Sequence, residues 1–184
     1  MLNNKIYYIF ILIIVFACNQ NKEAKNIKQT TPDNFDITKL VEEDIHNNQL
    51  ENKKAKKTIT INDKQETQIQ DSVDWSKTLN VLLECDINKE NIKHLYTQNY
   101  IHELDSVAVE MYNATSTKTP IKSMYIYRKR NETEKIIIHK EIKNLIFSSE
   151  QDIEYIPTKL LKIKATQRAI FMKDFKSNIE ISFL

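Results

Sequence analysis

The chain contains no glycine, three prolines and only three arginines among its 184 residues. Dinucleotide-binding loops, phosphate-binding P-loops and the nucleophile elbow of α/β-hydrolases all need glycine for close approach of the backbone. The composition therefore excludes these three classes of site. The formal net charge is only +2, and arginine, the usual reader of phosphates and guanine edges, is scarce. We therefore expect no nucleic-acid partner.

Residue types that carry catalysis or bind metals are also few. The chain has two cysteines and four histidines, and no pair of histidines has the spacing of a metal site. If Cys18 carries a lipid, Cys85 has no disulfide partner within the chain, and a buried small hydrophobe is its commonest role. We predict no catalytic residue, no metal site and no cofactor, and we expect that the chain is not an enzyme.

The start of the chain is its longest apolar segment. Lys5 precedes twelve uninterrupted apolar residues, 6–17, and Cys18 follows them. A membrane-spanning helix needs about 20 such residues, whereas this shorter length is typical of a signal peptide. The segment resembles the bacterial lipobox at its end, VFAC at residues 15–18, because a small residue precedes the cysteine. Phe16 departs from the lipobox pattern, in which a small or hydroxyl residue is usual.

This resemblance implies that residues 1–17 are a removable signal peptide and that the Cys18 thiol is diacylated. Each buried methylene of the acyl chains contributes about 0.8 kcal/mol to membrane binding. An ordinary secretory signal with an incidental cysteine is the alternative. Asn19, rather than an aspartate, follows the cysteine, which implies the outer membrane. Because no acidic cluster follows Cys18, the periplasmic face of that membrane is favoured.

Residues 18–71 are polar and lysine-rich, and we expect them to tether the lipidated cysteine to a folded domain at residues 72–184. A flexible coil of about 50 residues has an end-to-end distance of roughly 40 Å. Two stretches of the tether have local patterns. Apolar residues from Ile37 to Ile45 recur at helical spacing after Asp36, and residues 57–61 alternate like a strand. Either stretch can dock on the domain or bind a partner, but a mostly unstructured tether is favoured.

The folded domain is predicted to combine a helix with an antiparallel sheet. Trp75, Leu79 and Leu82 share one face of a helix that Ser72 or Asp74 can cap. Strand patterns follow at residues 107–112, 121–128, 136–147, 153–156, 160–165 and 179–183. The predicted fold class is α+β and β-dominated, with an N-terminal helix packed on a curved antiparallel sheet, either a meander or a half-barrel. Without glycine, loops of three to eight residues are expected between the strands.

The domain has two resemblances to known proteins. A helix followed by a curved sheet is similar to the half-barrels of periplasmic lipoprotein carriers, although fold does not fix function. Over residues 72–184 the chain also resembles a family of small uncharacterised lipoproteins from Bacteroidota. The shared motifs are DWSK at residues 74–77, DINK at residues 86–89 and the segment at residues 148–157. The second resemblance implies no particular activity.

Tyrosines are the candidates for ligand contacts. Six of them lie mostly in predicted strands: Tyr96, Tyr100, Tyr112, Tyr125, Tyr127 and Tyr155. On an uncovered face of the sheet, Tyr112, Tyr125 and Tyr127 can bind an apolar or extended ligand. The alternative is that these three side chains edge the core and keep their hydroxyls in water.

Three hypotheses about function follow. The leading one is an outer-membrane lipoprotein with a non-enzymatic binding or assembly role in the cell envelope. Its partners are the membrane and either another envelope protein or an apolar ligand. The first alternative is a periplasmic carrier that holds a lipid or other apolar ligand in a half-barrel. The second alternative is a hydrolase of unknown class, which requires Cys85, His94, His102 or His139 to converge with other polar groups in a cleft.

Overall fold

The computed structural model of the chain describes residues 34–102, 107–130 and 132–184. The expected signal peptide, Cys18 and the first part of the expected tether lie outside these residues. Within the described residues the chain forms two α-helices, one 3-10 turn and nine strands. Neither helix combines the length and the apolar character that crossing a bilayer requires.

Both helices begin after an aspartate. The Asp36 carboxylate accepts the N–H of Lys39 at 2.9 Å and caps α1 (Ile37–Leu50). The Asp74 carboxylate accepts the N–H of Lys77 at 3.0 Å and caps α2 (Trp75–Leu83). Each carboxylate satisfies an N–H group that has no partner within its own helix. The predicted helix with Trp75 on its apolar face is confirmed.

The nine strands form one antiparallel sheet. In chain order they are β1 (Ala55–Ile61), β2 (Lys64–Gln70), β3 (Tyr96–His102), β4 (Val107–Ala114), β5 (Ile121–Lys129), β6 (Glu132–Lys143), β7 (Phe147–Ile156), β8 (Leu160–Ala169) and β9 (Phe175–Phe183). Their spatial order is β2-β1-β9-β8-β7-β6-β5-β4-β3, so each strand from β3 to β9 lies beside the next. The domain is therefore α+β and β-dominated, with an open antiparallel sheet, as the strand patterns predict.

The folded unit begins well before residue 72, which the composition predicts as its start. Strand β1 lies between β2 and β9 in the sheet. On α1, Ile37 and Val41 are fully buried. The second half of the expected tether is therefore part of the domain. Its polar composition is misleading because β2 is an edge strand, in which six of the seven residues are exposed.

The turns show how this chain manages without glycine. Six described non-glycine residues have a positive φ: Asn52, Asn62, Asp63, Arg130, Thr158 and Phe171. The β1–β2 turn consists of Asn62 and Asp63 alone, with φ angles of 44° and 72°. It is shorter than the expected minimum of three residues, because Asn and Asp tolerate the left-handed region that such hairpins need.

Both helices lie on one face of the sheet, called here the covered face. Along each strand, alternate side chains point towards the helices. The strand residues buried in the core on this face are Ala55, Tyr96, Tyr112, Ile121, Met124, Ile126, Ile136, Ile138, Ile153, Tyr155, Leu161 and Ile181. Trp75 is 2% exposed, and its ring lies 4.4 Å from that of Phe183 between centroids. No helix or strand among the described residues packs on the opposite face, called here the open face.

Candidate functional site

The three candidate tyrosines lie on two different faces of the sheet. Tyr112 pairs with Met124 and points towards the helices, where only 2% of it is exposed. Tyr125 and Tyr127 lie opposite Met111 and Val109 and point to the open face. Because neighbouring residues of a strand point to opposite faces, Tyr112 cannot join the other two in one binding row. The expected set is therefore reduced to Tyr125 and Tyr127.

Tyr112 belongs to a hydrogen-bonded network on the covered face. Its hydroxyl donates to Glu110 Oε2 at 3.1 Å and accepts from Gln98 Nε2 at 2.7 Å. Arg128 Nε donates to the other carboxylate oxygen of Glu110 at 2.5 Å. Burial, together with the Glu110 charge, raises the pKa of Tyr112, so its phenol stays protonated and donates to Glu110. The hydroxyl of this tyrosine is therefore engaged by groups of the protein itself.

The same side of the domain also holds the residues just before α1, Asn34 and Phe35. The Arg128 guanidinium lies 5.3 Å above the centre of the Phe35 ring. Asn34 and Asn88 exchange hydrogen bonds: the Asn34 N–H donates to Asn88 Oδ1 at 2.7 Å, and Asn88 Nδ2 donates to the Asn34 carbonyl at 3.2 Å. Residues immediately before α1 are therefore fixed to the covered face.

The open face carries an apolar patch formed by Val109, Met111, Tyr125, Tyr127 and Ile137. Val109 is only 3% exposed although it lies outside the main core, because its neighbours cover it. Tyr125 and Tyr127 are half-buried, and Lys135 Nζ lies 4.4 Å from the centre of the Tyr127 ring. A cation at that position is attracted by the electron-rich ring face. The other four residues of the patch are half-buried.

The other half of the open face is charged. Lys162 pairs with Glu180 at 3.2 Å, and Arg168 pairs with Glu150 at 2.9 Å. These pairs join β8 to its two neighbouring strands. Exposed pairs of this kind contribute little to stability, so this half of the face is mainly solvated surface.

One row across three strands has the residue order of a hydrolase triad. Ser123 on β5, His139 on β6 and Asp152 on β7 are direct cross-strand neighbours. His139 Nδ1 lies 2.8 Å from Asp152 Oδ1. No hydrogen bond among the described residues joins the side chains of Ser123 and His139, and Asp152 is 66% exposed. Such a row lacks the positioned donors and the exclusion of water on which acyl transfer depends.

The remaining hydrolase candidates do not converge. Cys85 is fully buried and its Sγ donates to the Val81 carbonyl at 3.2 Å. Burial raises the pKa of the Cys85 thiol to about 11, so the reactive thiolate is scarce at neutral pH. His94 lies exposed in the 3-10 turn Lys93–Leu95. His102 ends β3, and its side chain lies outside the described residues.

The clefts of the domain are open to solvent. One of them has a volume of about 900 Å³ and lies between the β4–β5 loop and the end of β6. Lys118, Lys122 and Lys143 line it together with Glu141. Lys122 Nζ is already used inside the protein, because it donates to the carbonyls of Thr117 and Thr119 at 2.7 Å each.

Neither a metal site nor a similarity to known proteins narrows the choice of function. In the part of the chain that the structure describes, no three His, Cys, Asp or Glu side chains are grouped so that they could hold a metal ion. Comparisons with known proteins find no family model that matches the chain, and no curated protein or solved structure that is significantly similar to it.

Proposed function

We propose that the chain is a lipoprotein of the bacterial outer membrane, anchored through Cys18 and facing the periplasm, with a non-enzymatic binding or assembly role. The single observation that carries the proposal is the apolar segment at residues 6–17 directly before a cysteine. The segment is short for a membrane span and has the length of a signal peptide. The described secondary structure supports it, because its first helix begins at Ile37, only 19 residues after Cys18.

The filled covered face supports a binding role over the carrier alternative. A carrier needs an apolar cavity of several hundred Å³. On the covered face of this sheet, that space is taken by Trp75, Leu79 and Leu82 from α2 and by Ile37 and Val41 from α1. The domain therefore offers partners its surface rather than an interior. If the chain without its Cys18 anchor co-purifies with a stoichiometric amount of lipid, that result would favour the carrier instead.

Growth of expressing cells with labelled palmitate tests the anchor. The chain has two cysteines, so Cys85→Ala is a matched control for Cys18→Ala. We expect label in the parent chain and in the Cys85→Ala variant, and none in Cys18→Ala. Separation of inner and outer membranes is expected to place the labelled chain in the outer fraction. A Cys18→Ala chain that still takes up palmitate would contradict the proposal.

The non-enzymatic part of the proposal has its own test, directed at the Ser123 row. A fluorophosphonate probe reacts with serines that an adjacent base has activated. We expect the chain to remain unlabelled. Labelling that disappears in Ser123→Ala but persists in the control Ser148→Ala, another serine on the open face, would establish an activated nucleophile and favour the hydrolase alternative.

A further inference from the structure

Two neighbouring turns at one end of the sheet expose large apolar side chains. They are Leu145 and Ile146 between β6 and β7, and Ile170, Phe171 and Met172 between β8 and β9. These five residues are called here the apolar tip. Leu145 is 96% exposed and Phe171 is fully exposed, at 104%. Soluble surfaces rarely group so many large apolar side chains, and such grouping marks a contact with a partner or a membrane.

The apolar tip is held in place by backbone hydrogen bonds. The two turns are joined to each other, because the Ile170 N–H donates to the Ile146 carbonyl at 3.1 Å. Asn144 Oδ1 accepts the N–H groups of Ile146 at 3.0 Å and of Phe147 at 2.8 Å. The Met172 N–H donates to the Ala169 carbonyl at 3.1 Å. Backbone groups that are paired internally can enter an apolar medium without the cost of a lost hydrogen bond.

The most exposed side chains of the tip, Leu145 and Phe171, lie almost entirely in solvent, which suits insertion into a lipid surface. Phe171 has a φ of 68°, an unfavourable region for a residue with a large side chain. That conformation places an aromatic ring entirely in solvent, where the fold gains nothing from it. Burial of apolar side chains by 5–10 Å at the boundary between headgroups and acyl chains is the usual depth of interfacial contacts.

Three lysines flank the two turns of the apolar tip along the chain. Lys143 precedes the first turn, and Lys173 and Lys176 follow the second. All three are exposed, and none forms an ion pair with another residue that the structure describes. The only acidic side chain in the second turn, Asp174, is paired with Arg168 at 3.4 Å. Free lysines beside an apolar tip match the phosphates of anionic lipids.

We infer that the apolar tip docks the domain on an anionic lipid bilayer, with its five side chains among the upper acyl segments and the lysines at the headgroups. The inference rests on the proposed function in one respect: the Cys18 anchor supplies the membrane. Sixteen residue steps separate Cys18 from Asn34, and even fully extended they span no more than about 55 Å. An anchored domain therefore stays within reach of the bilayer, and docking fixes its orientation there.

A vesicle experiment tests the tip without the anchor. The chain from residue 19 onwards lacks Cys18 and retains the compact unit that runs from residue 31 to Leu184. It is sedimented with vesicles of phosphatidylethanolamine and phosphatidylglycerol, and with vesicles of phosphatidylcholine alone. We expect binding to the anionic vesicles, at least about 100-fold weaker binding for the double variant Leu145→Ser/Phe171→Ser, and about fivefold weaker binding for each of Lys143→Gln and Lys173→Gln at low salt.

A spectroscopic reporter locates the contact. Trp75 is buried and provides a constant background, so a second tryptophan reports on its own site. Phe171→Trp places it in the tip, and Lys159→Trp places it in the exposed β7–β8 turn at the opposite end of the same strands. We expect brominated lipids to quench the first variant and not the second. Equal quenching of both variants, or no sedimentation with either kind of vesicle, overturns the inference.

The two proposals fail separately. Palmitate labelling of the full chain depends on Cys18 and not on the tip, whereas vesicle binding of the chain from residue 19 depends on the tip and not on Cys18. If the full chain is labelled with palmitate but the chain from residue 19 does not bind vesicles, the anchor is supported and the docking inference is wrong. If the chain from residue 19 binds vesicles but the full chain takes up no palmitate in cells, the docking inference is supported and the anchor is wrong.

Discussion

The molecule has two apolar regions of opposite character, the core beneath the helices and the apolar tip at one end of the sheet. In the core, Trp75, Leu79 and Ile138 have almost no exposed surface. In the tip, Leu145 and Phe171 have almost no buried surface. Burial of an apolar side chain stabilises the folded state by roughly 1.5–3 kcal/mol, whereas an exposed one contributes close to nothing. The core therefore accounts for the stability of the fold, and the tip does not.

Turns at the other end of the same strands show that the sheet does not require apolar turns. Arg130 turns the chain between β5 and β6, and the β7–β8 turn contains Thr158 and the exposed Lys159. Arg130 and Thr158 adopt positive φ angles of 50° and 58° with polar side chains, just as Phe171 does with an apolar one. The turn geometry is thus compatible with polar residues, and the apolar side chains of the tip need another explanation.

The largest expected effect separates the core from the tip by stability. Trp75→Ala removes a buried indole that contacts Phe183, and we expect it to lower the free energy of unfolding by about 3–5 kcal/mol. Phe171→Ala removes a ring of similar chemistry from the tip, and we expect a change within about 0.5 kcal/mol. Urea denaturation followed by circular dichroism measures both. Similar losses for the two variants would contradict the distinction.

A smaller effect distinguishes two buried phenols within the core. The Tyr112 hydroxyl is hydrogen-bonded to Gln98 and Glu110, whereas the buried Tyr155 hydroxyl has no hydrogen-bond partner among the residues that the structure describes. We expect Tyr112→Phe to lower the free energy of unfolding by about 1–2 kcal/mol, because Glu110 and Gln98 lose a partner. Tyr155→Phe is expected to leave it unchanged or raise it by up to about 1 kcal/mol. The same denaturation experiment would refute this if Tyr155→Phe were the more damaging variant.

Cysteine labelling compares the accessibility of the two regions. Because burial raises the pKa of Cys85 to about 11, we expect a thiol reagent to label the folded chain from residue 19 at least about 100-fold more slowly than the urea-unfolded chain. A cysteine placed in the tip, Met172→Cys, is expected to react in the folded chain as fast as in the unfolded chain. Rapid labelling of native Cys85 would show that the core opens.

The smallest expected effect concerns a carboxyl group at the edge of the core. Burial raises the pKa of Asp44 above its ordinary value of 3.8, although its carboxylate accepts the Thr158 N–H at 3.0 Å. The folded chain therefore holds this proton more tightly than the unfolded chain does. The stability that this provides is present below pH 3.8 and is lost as the pH rises through the folded pKa.

Asp44→Asn removes this titration and keeps an oxygen that can accept from Thr158. We expect the free energy of unfolding to decline less between pH 4 and neutral pH in the variant than in the parent chain. Denaturant titrations at several pH values measure the slope. A steeper decline in the variant would show that the Asp44 charge stabilises the fold at neutral pH.

Much of the secondary structure around the core could be predicted from the spacing of apolar residues in the sequence. The spacing of Trp75, Leu79 and Leu82 predicted α2 within its observed bounds, and the apolar run that opens at Ile136 predicted β6. Strand β2 was missed because it lies at an edge and buries almost nothing, so it has no apolar alternation to detect. Local patterns report burial, and elements that bury little leave no such signal.

The open-face patch and the apolar tip could not be predicted in this way, because they depend on how the strands pair, and local sequence does not specify that pairing. Tyr125 and Tyr127 share a face because they are two residues apart, but the position of Tyr112 on the other face follows from its pairing with Met124. The predicted strand at residues 136–147 ends at Lys143 in the structure, where Leu145 and Ile146 form a turn instead. The pairing of β7 with β8, which places Phe147 opposite Ala169, brings that turn beside Phe171.

The most direct test of the account asks whether the apolar tip serves a partner rather than the fold. The double variant Leu145→Ser/Phe171→Ser is compared with the parent chain from residue 19, in urea denaturation and in sedimentation with anionic vesicles. We predict an unfolding free energy within about 0.5 kcal/mol of the parent together with vesicle binding that is at least about 100-fold weaker. A loss of stability of about 2 kcal/mol or more with unchanged vesicle binding would contradict it.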